Sequence, residues 1–200
     1  MYEVNGARIN AGKEVYAPAE DTLLAADILI RAINGKGLVV ADIGTGTGAL
    51  GIVAALDGRV TNVLISDISE NALECAKENA KLNGVTGKCS FRKSDLFENV
   101  EGNFDIIIFN PPYLPEDDEV KSGKNEWSGG PTGTETTKLF IDQALLHLNK
   151  KGTIIIVASS FADMDGLAHF IKDAGLEVTD SRTKHIFFED ITAIALKKRD

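Results

Sequence analysis

Two nearly unbroken apolar runs, Ile106-Ile107-Ile108-Phe109 and Ile154-Ile155-Ile156-Val157-Ala158, constrain this chain more than any other feature. A strand with one face in water alternates apolar and polar residues. A short run without alternation, rich in β-branched residues, reads as a strand covered on both faces. Both runs fall far below the roughly 18 apolar residues that a membrane-spanning helix needs. Covering two faces takes helices, and the segments around these runs have the helical period. Strands are predicted at 38–43, 63–66, 89–92, 104–109, 153–158, 177–182 and 191–196, and helices at 47–56, 69–82, 136–148 and 163–174. Ser69 is placed to N-cap its helix and Asn83-Gly84 to stop it. An extra helix at 18–33, with Pro18 in its first turn, precedes them all. Repeated βα units imply right-handed crossovers. The expected fold is α/β: a doubly wound, seven-stranded, mostly parallel sheet with helices on both faces. Ligands of such sheets bind outside the strands' C-terminal ends, so chemistry is expected in the loops after the first four strands.

The chain has 200 residues, 44% of them apolar, enough to bury one continuous core without disulfides or metals. Lys and Arg total 21 against 30 Asp and Glu, a net charge of −9. That surface repels phosphate backbones and disfavours a stand-alone nucleic-acid-binding module. Cys75 and Cys89 lie in no zinc-ligand spacing and read as reduced thiols, and His147, His169 and His185 are scattered, so no metal site is expected. The first residues, Met1-Tyr2-Glu3-Val4-Asn5, have neither a basic nor an apolar region of signal-peptide type; a cytoplasmic location is expected. The stretch 114–136 has no regular period, and loops of that length in compact domains are usually functional or disordered. Within it, the acidic run 116–119 reads as a solvated face, and Trp127 as a lid or a loop anchor. Lys197-Lys198-Arg199 is too short a basic tail to imply nucleic acid.

Asp42-Ile43-Gly44-Thr45-Gly46-Thr47-Gly48 joins the first of these strands to its helix. Glycines allow a tight turn and a close backbone approach, and the helix N-terminus offers free N–H donors. Nucleotide, dinucleotide and S-adenosylmethionine sites all fit this pattern. Asp42 tilts the balance, because a carboxylate there repels a pyrophosphate and suits the cationic amino-acid end of S-adenosylmethionine. Asp67 ends the second strand and can accept hydrogen bonds from ribose hydroxyls, in either kind of cofactor. Asp95 follows the third strand and can accept from an adenine amino group, with Ile68 and Leu96 on either side of the ring. Its competing role is an N-cap or a solvated turn.

Asn110-Pro111-Pro112-Tyr113 follows the fourth strand. Each proline keeps the preceding residue out of the α region, so the segment stays extended. The Pro111 carbonyl and the Asn110 side-chain oxygen can then accept both hydrogens of a planar –NH₂ group and aim its nitrogen at a methyl donor. Tyr113 supplies a stacking face. Positioning and electrostatics do the work, and no strong base is needed.

Together, Asp42-x-Gly44-x-Gly46-x-Gly48, Asp67, Asp95 and Asn110-Pro111-Pro112-Tyr113 resemble a class I S-adenosylmethionine-dependent methyltransferase acting on an exocyclic or amide nitrogen. More narrowly, Val15-Tyr16-Ala17-Pro18-Ala19-Glu20-Asp21-Thr22 and Trp127-Ser128-Gly129-Gly130-Pro131-Thr132-Gly133 resemble the short archaeal and eukaryotic HemK-type glutamine methyltransferases. That resemblance implies S-adenosylmethionine as cofactor. It also implies a class I translation release factor as substrate, methylated on the glutamine N5 of its Gly-Gly-Gln motif. Thr22 is implied as a cofactor contact. A small zinc-binding activator subunit is implied beside the third strand, where Cys89 and Phe91 share a face. Residues 1–200 are read as one catalytic domain, with 1–34 a helical extension covering the cofactor site. The competing reading is a nucleic-acid amino-group methyltransferase, acting on adenine N6 or guanine N2. It needs a flipped base and a basic groove, which the net charge disfavours. A non-enzymatic nucleotide-binding module would leave Asn110 to Tyr113 without a purpose.

Overall fold

Consecutive isoleucines point to opposite faces of the sheet, and each face meets its own helical layer. In the computed structural model, which describes residues 1–115 and 129–199, Ile106, Ile108, Ile155 and Val157 join one core cluster. Ile107, Phe109, Ile154 and Ile156 join the other. The unbroken apolar runs thus follow from burial on both sides.

The chain begins with a hairpin, β1 (Tyr2–Val4) and β2 (Ala7–Ile9), followed by α1 (Glu20–Ala32). Then come β3 (Leu38–Ile43), α2 (Ala49–Leu56), β4 (Val60–Asp67), α3 (Glu70–Leu82), a 3₁₀ turn at Thr86–Lys88, β5 (Cys89–Lys93) and β6 (Phe104–Phe109). The last elements are α4 (Glu135–His147), β7 (Leu148–Ser159), α5 (Met164–Asp173), β8 (Leu176–Ile186) and β9 (Glu189–Lys198). The main sheet has seven strands in the order β5-β4-β3-β6-β7-β9-β8. Strands β3 to β7 pair in parallel, and β9 runs antiparallel to both β7 and β8. The sheet order reverses between β3 and β6. The crevice above those two strands is the switch point where such sheets bind ligands.

The helices lie close to their expected positions, and Ser69 caps α3 by accepting a hydrogen bond from the Ala72 N–H at 3.3 Å. The N-terminal extension differs from expectation, because it is helical only over Glu20–Ala32. Before that, Asn5 and Gly6 both have positive φ, 44° and 86°, and close the β1–β2 turn. Asn-Gly between the triplets Tyr2-Glu3-Val4 and Ala7-Arg8-Ile9 is a hairpin signal that the helical-period reading passed over. The hairpin docks on α3 through two asparagines one turn apart. Asn79 Oδ1 accepts from the Asn10 N–H, and its Nδ2 donates to the Asn10 carbonyl, both at 2.9 Å. Asn83 exchanges the same pair of bonds with the backbone of Arg8. The clasp carries residues 10–16 across to the crevice.

Strand β5 is the sheet edge and pairs, among the described residues, only with β4. Cys89 and Phe91 do share a face, but both are partly buried against the core cluster under α2 and α3. Both cysteines are free thiols.

Candidate active site

The loops after β3, β4, β5 and β6 converge, with α1 as the facing wall, around a cavity of about 780 Å³. Every residue assigned from the sequence to cofactor or methyl transfer lines it: Thr22, Asp42, Gly44, Gly46, Asp67, Ile68, Asp95, Leu96, Asn110, Pro111 and Tyr113. Asp21, Tyr16 and Glu189, which sequence reasoning did not assign, line it too.

The glycine-loop side is held by carboxylates that spend hydrogen bonds on the loop itself. Asp42 Oδ2 accepts from the Thr45 hydroxyl at 2.5 Å and from the Gly51 N–H at 2.8 Å. Asp67 Oδ2 accepts from the Gly46 N–H and its Oδ1 from the Ser69 N–H, each at 2.9 Å. Gly44, at φ 61°, passes the Phe109 ring so closely that a Cβ would sit 2.8 Å from it. This turn therefore needs glycine for its conformation and for its space.

Asp42 is buried, at 2% exposure, and among the described residues it forms no ion pair. Burial pushes its carboxyl up to about 6; the bonds from Thr45 and Gly51 oppose the rise, and the charge of Asp67 adds to it. A buried carboxylate without a counter-ion favours a cation beside it. Ile68, 62% exposed, and Leu96, held at φ 42°, offer apolar surface on the same cavity. Asp95 stands exposed at its rim. A carboxylate for an ammonium, a carboxylate beside a glycine turn and an apolar slot together fit S-adenosylmethionine.

The opposite side is built around Asn110. Its Nδ2 donates to Asp21 Oδ2 at 2.9 Å. Its Oδ1 is buried and lacks a hydrogen-bond partner, a state that only Ser66 Oγ shares among the buried side-chain atoms of the described residues. An orphaned buried acceptor is costly, so its persistence beside a cavity marks a place for an incoming donor. Pro111 is buried, and no described residue donates to its carbonyl. Tyr113 donates its hydroxyl to Asp21 Oδ2 at 3.3 Å, and Tyr16 does so at 3.1 Å. Burial first, and then the charge of Asp21, raises both phenols well above their ordinary range, so they remain donors.

Residues 129–133 brace this segment from behind. The Gly129 N–H donates to the Leu114 carbonyl at 2.9 Å, and a Cβ on Gly129 would lie 2.7 Å from the Pro112 carbonyl oxygen. The acidic run 116–119 and Trp127 lie outside the described residues.

The methyltransferase small domain family model matches residues 11–182. This chain is a member of that methyltransferase family. A Methanocaldococcus jannaschii protein, provisionally named as a protein N5-glutamine methyltransferase, is 39% identical over 197 residues, covering 97% of both chains. The release factor glutamine methyltransferase of Agrobacterium fabrum is 37% identical over 165 residues, 76% of this chain but 57% of that protein. This methyltransferase thus spans little more than half of its bacterial relative. Among solved structures, the Encephalitozoon cuniculi Mtq2–Trm112 complex, titled as responsible for methylation of the eRF1 termination factor, superposes with a TM-score of 0.68. It is 22% identical and covers 94% of this chain and 100% of that one, a likeness of fold. No described helix is long and apolar enough to cross a membrane.

Proposed function

We propose that this chain is a protein-glutamine N5-methyltransferase that uses S-adenosylmethionine to methylate the Gly-Gly-Gln glutamine of a class I translation release factor. The observation that carries the reading is the unpartnered Asn110 Oδ1 at the C-terminal end of β6, beside the Pro111 carbonyl. Two acceptors, with no basic side chain among the described residues that line the cavity, suit a planar amide nitrogen, a weak nucleophile that needs orientation more than deprotonation. Names of relatives sharing 39% and 37% identity support the same substrate class.

Asp42, Gly44 and Gly46 would hold the amino-acid end of S-adenosylmethionine, Asp67 its ribose, Ile68, Asp95 and Leu96 its adenine, and Thr22 would close over it. When bound, that cofactor supplies a methyl group on a sulfonium, open to in-line displacement. The chain's own residues do the rest. Asn110 Oδ1 and the Pro111 oxygen each accept one amide N–H of the substrate glutamine, which fixes the nitrogen in place. Polarising both N–H bonds raises electron density on the nitrogen as it attacks the methyl carbon, and one of the two polarised protons is released to water once the N–C bond has formed. The Tyr113 ring bounds the slot and sheds water from it.

The outer edge of β5, unpaired among the described residues, supports docking of a small zinc-binding activator subunit by strand addition. Incubation with labelled S-adenosylmethionine and either release factor or nucleic acid, with and without such a subunit, tests the reading. Label is expected on the release-factor glutamine. Label on DNA or RNA alone overturns the proposal in favour of base-amine methylation.

A further inference from the structure

Asp21 is a carboxylate at 2% exposure, in the first turn of α1, with donors on both oxygens. Oδ1 accepts from the Thr22 N–H at 2.6 Å and from the Thr22 hydroxyl at 3.2 Å. Oδ2 accepts from Tyr16, Asn110 Nδ2 and Tyr113. A carboxylate only accepts, so it dictates which end of a neighbouring carboxamide faces it. Turning the Asn110 amide over would set its oxygen against Asp21 Oδ2 and aim its –NH₂ into the cavity. There it would oppose another –NH₂ group, donor against donor.

We propose that Asp21 is a positioning residue: by fixing the amide of Asn110 it leaves Oδ1 free to receive the substrate nitrogen. The inference rests on the reading that Asn110 receives an –NH₂ group. It extends the site to α1, because Asp21 also holds Thr22 on the cofactor side and Tyr113 on the substrate side. One charge thereby keeps the walls of both subsites in register. Among the described residues Asp21 is the carboxylate that bonds to Asn110, while Glu189, which lines the same cavity, is bonded instead to the Ser159 hydroxyl at 2.5 Å.

Asp21→Asn preserves size and tests this directly. The Thr22 N–H requires an acceptor, so the new amide turns its –NH₂ toward Asn110, and Asn110 turns over to meet it. Release-factor kcat is expected to fall about 10²-fold. KM for the release factor and cofactor affinity by calorimetry should each move less than about threefold, because the Thr22 side is intact. In the double variant with Asn110→Ala, Asp21→Asn should add little further loss, the mark of two residues acting as a unit. Side-chain amide NMR of the wild-type chain, with the Asn110 signal assigned from Asn110→Ala, gives a readout needing no substrate. One Asn110 amide proton should be protected from exchange, and in a folded Asp21→Asn variant its shift should change. Rapid exchange of both protons in the wild type overturns the proposal. So does wild-type kcat in Asp21→Asn where Asn110→Ala is impaired. Absence of release-factor methylation by the wild type would instead sink the proposed substrate, leaving the amide measurement to decide the role of Asp21.

Discussion

The two sides of the cavity handle their polar groups in opposite ways. On the glycine-loop side, Asp42 and Asp67 bond to the loop they line, and those bonds fix the shape of that wall from within the protein. On the Asn-Pro-Pro-Tyr side, the key acceptor has no partner, although the atoms around it are tied down. The difference separates two tasks. Binding a cofactor tolerates groups already satisfied, because carboxylates retain spare lone pairs. Raising the reactivity of an amide nitrogen calls for acceptors whose bonds are completed only as the reaction proceeds.

Breaking the transfer side should have the largest effect and leave the other side standing. Asn110→Ala is expected to reduce kcat by about 10³-fold, roughly 4 kcal/mol of transition-state stabilisation, with cofactor affinity nearly unchanged. Calorimetry beside a single-turnover assay checks the split, and a variant losing mainly cofactor binding would erase the contrast. The next effect concerns the cofactor wall. Asn79 is buried, bonds to Asn10 and also donates to the Thr47 carbonyl at the end of the glycine loop, at 2.9 Å. Asn79→Ala leaves those backbone groups unpaired and should cost about 1–3 kcal/mol of stability in denaturant titrations. Cofactor affinity should weaken along with it.

The smallest effect follows from Asp42. Its carboxyl sits at about 6 in the fold against an ordinary 3.8, so the free chain binds the extra proton between those values. Asp42 therefore makes the free chain lose stability as pH rises from about 4 to about 6. A cationic ligand selects the ionised form, so the sign reverses for binding. S-adenosylmethionine affinity should rise with pH and level off above about 7, and at pH 5 it should be about tenfold weaker than at the plateau. Asp42→Asn should flatten that profile; an unchanged slope would remove Asp42 from the cofactor's cationic end.

Much of this was legible in the sequence because the relevant signals are local. The Ile-rich strands report burial on two faces, and the glycine loop and Asn110 to Tyr113 each announce their chemistry within a few residues. Their convergence follows from the topology, since a parallel sheet carries its strand ends to one edge. Asp21 was not legible in this way. The motif 15–22 carries the family resemblance and implies Thr22 as a cofactor contact, but it assigns Asp21 no role, because that role comes from partners on other elements. The N-terminal hairpin had a local signal in Asn5-Gly6, but flanking strands of three residues each are too short to show a clear alternation. The alternation of 89–92 is that of a half-exposed strand, and the structure turns its Cys89 and Phe91 face onto the core formed with α2 and α3.

The Asp21–Asn110 bond joins residues 89 apart in the chain. Closing a flexible loop of that length costs about 4 kcal/mol in chain entropy, more than the roughly 1.5–3 kcal/mol that one charge-assisted hydrogen bond returns. The contact therefore cannot nucleate anything. It forms only once the sheet has drawn α1 and β6 together, which makes competence for methyl transfer a late acquisition in folding. By the same arithmetic, a local lifting of α1 that leaves the sheet intact would silence the enzyme before unfolding it.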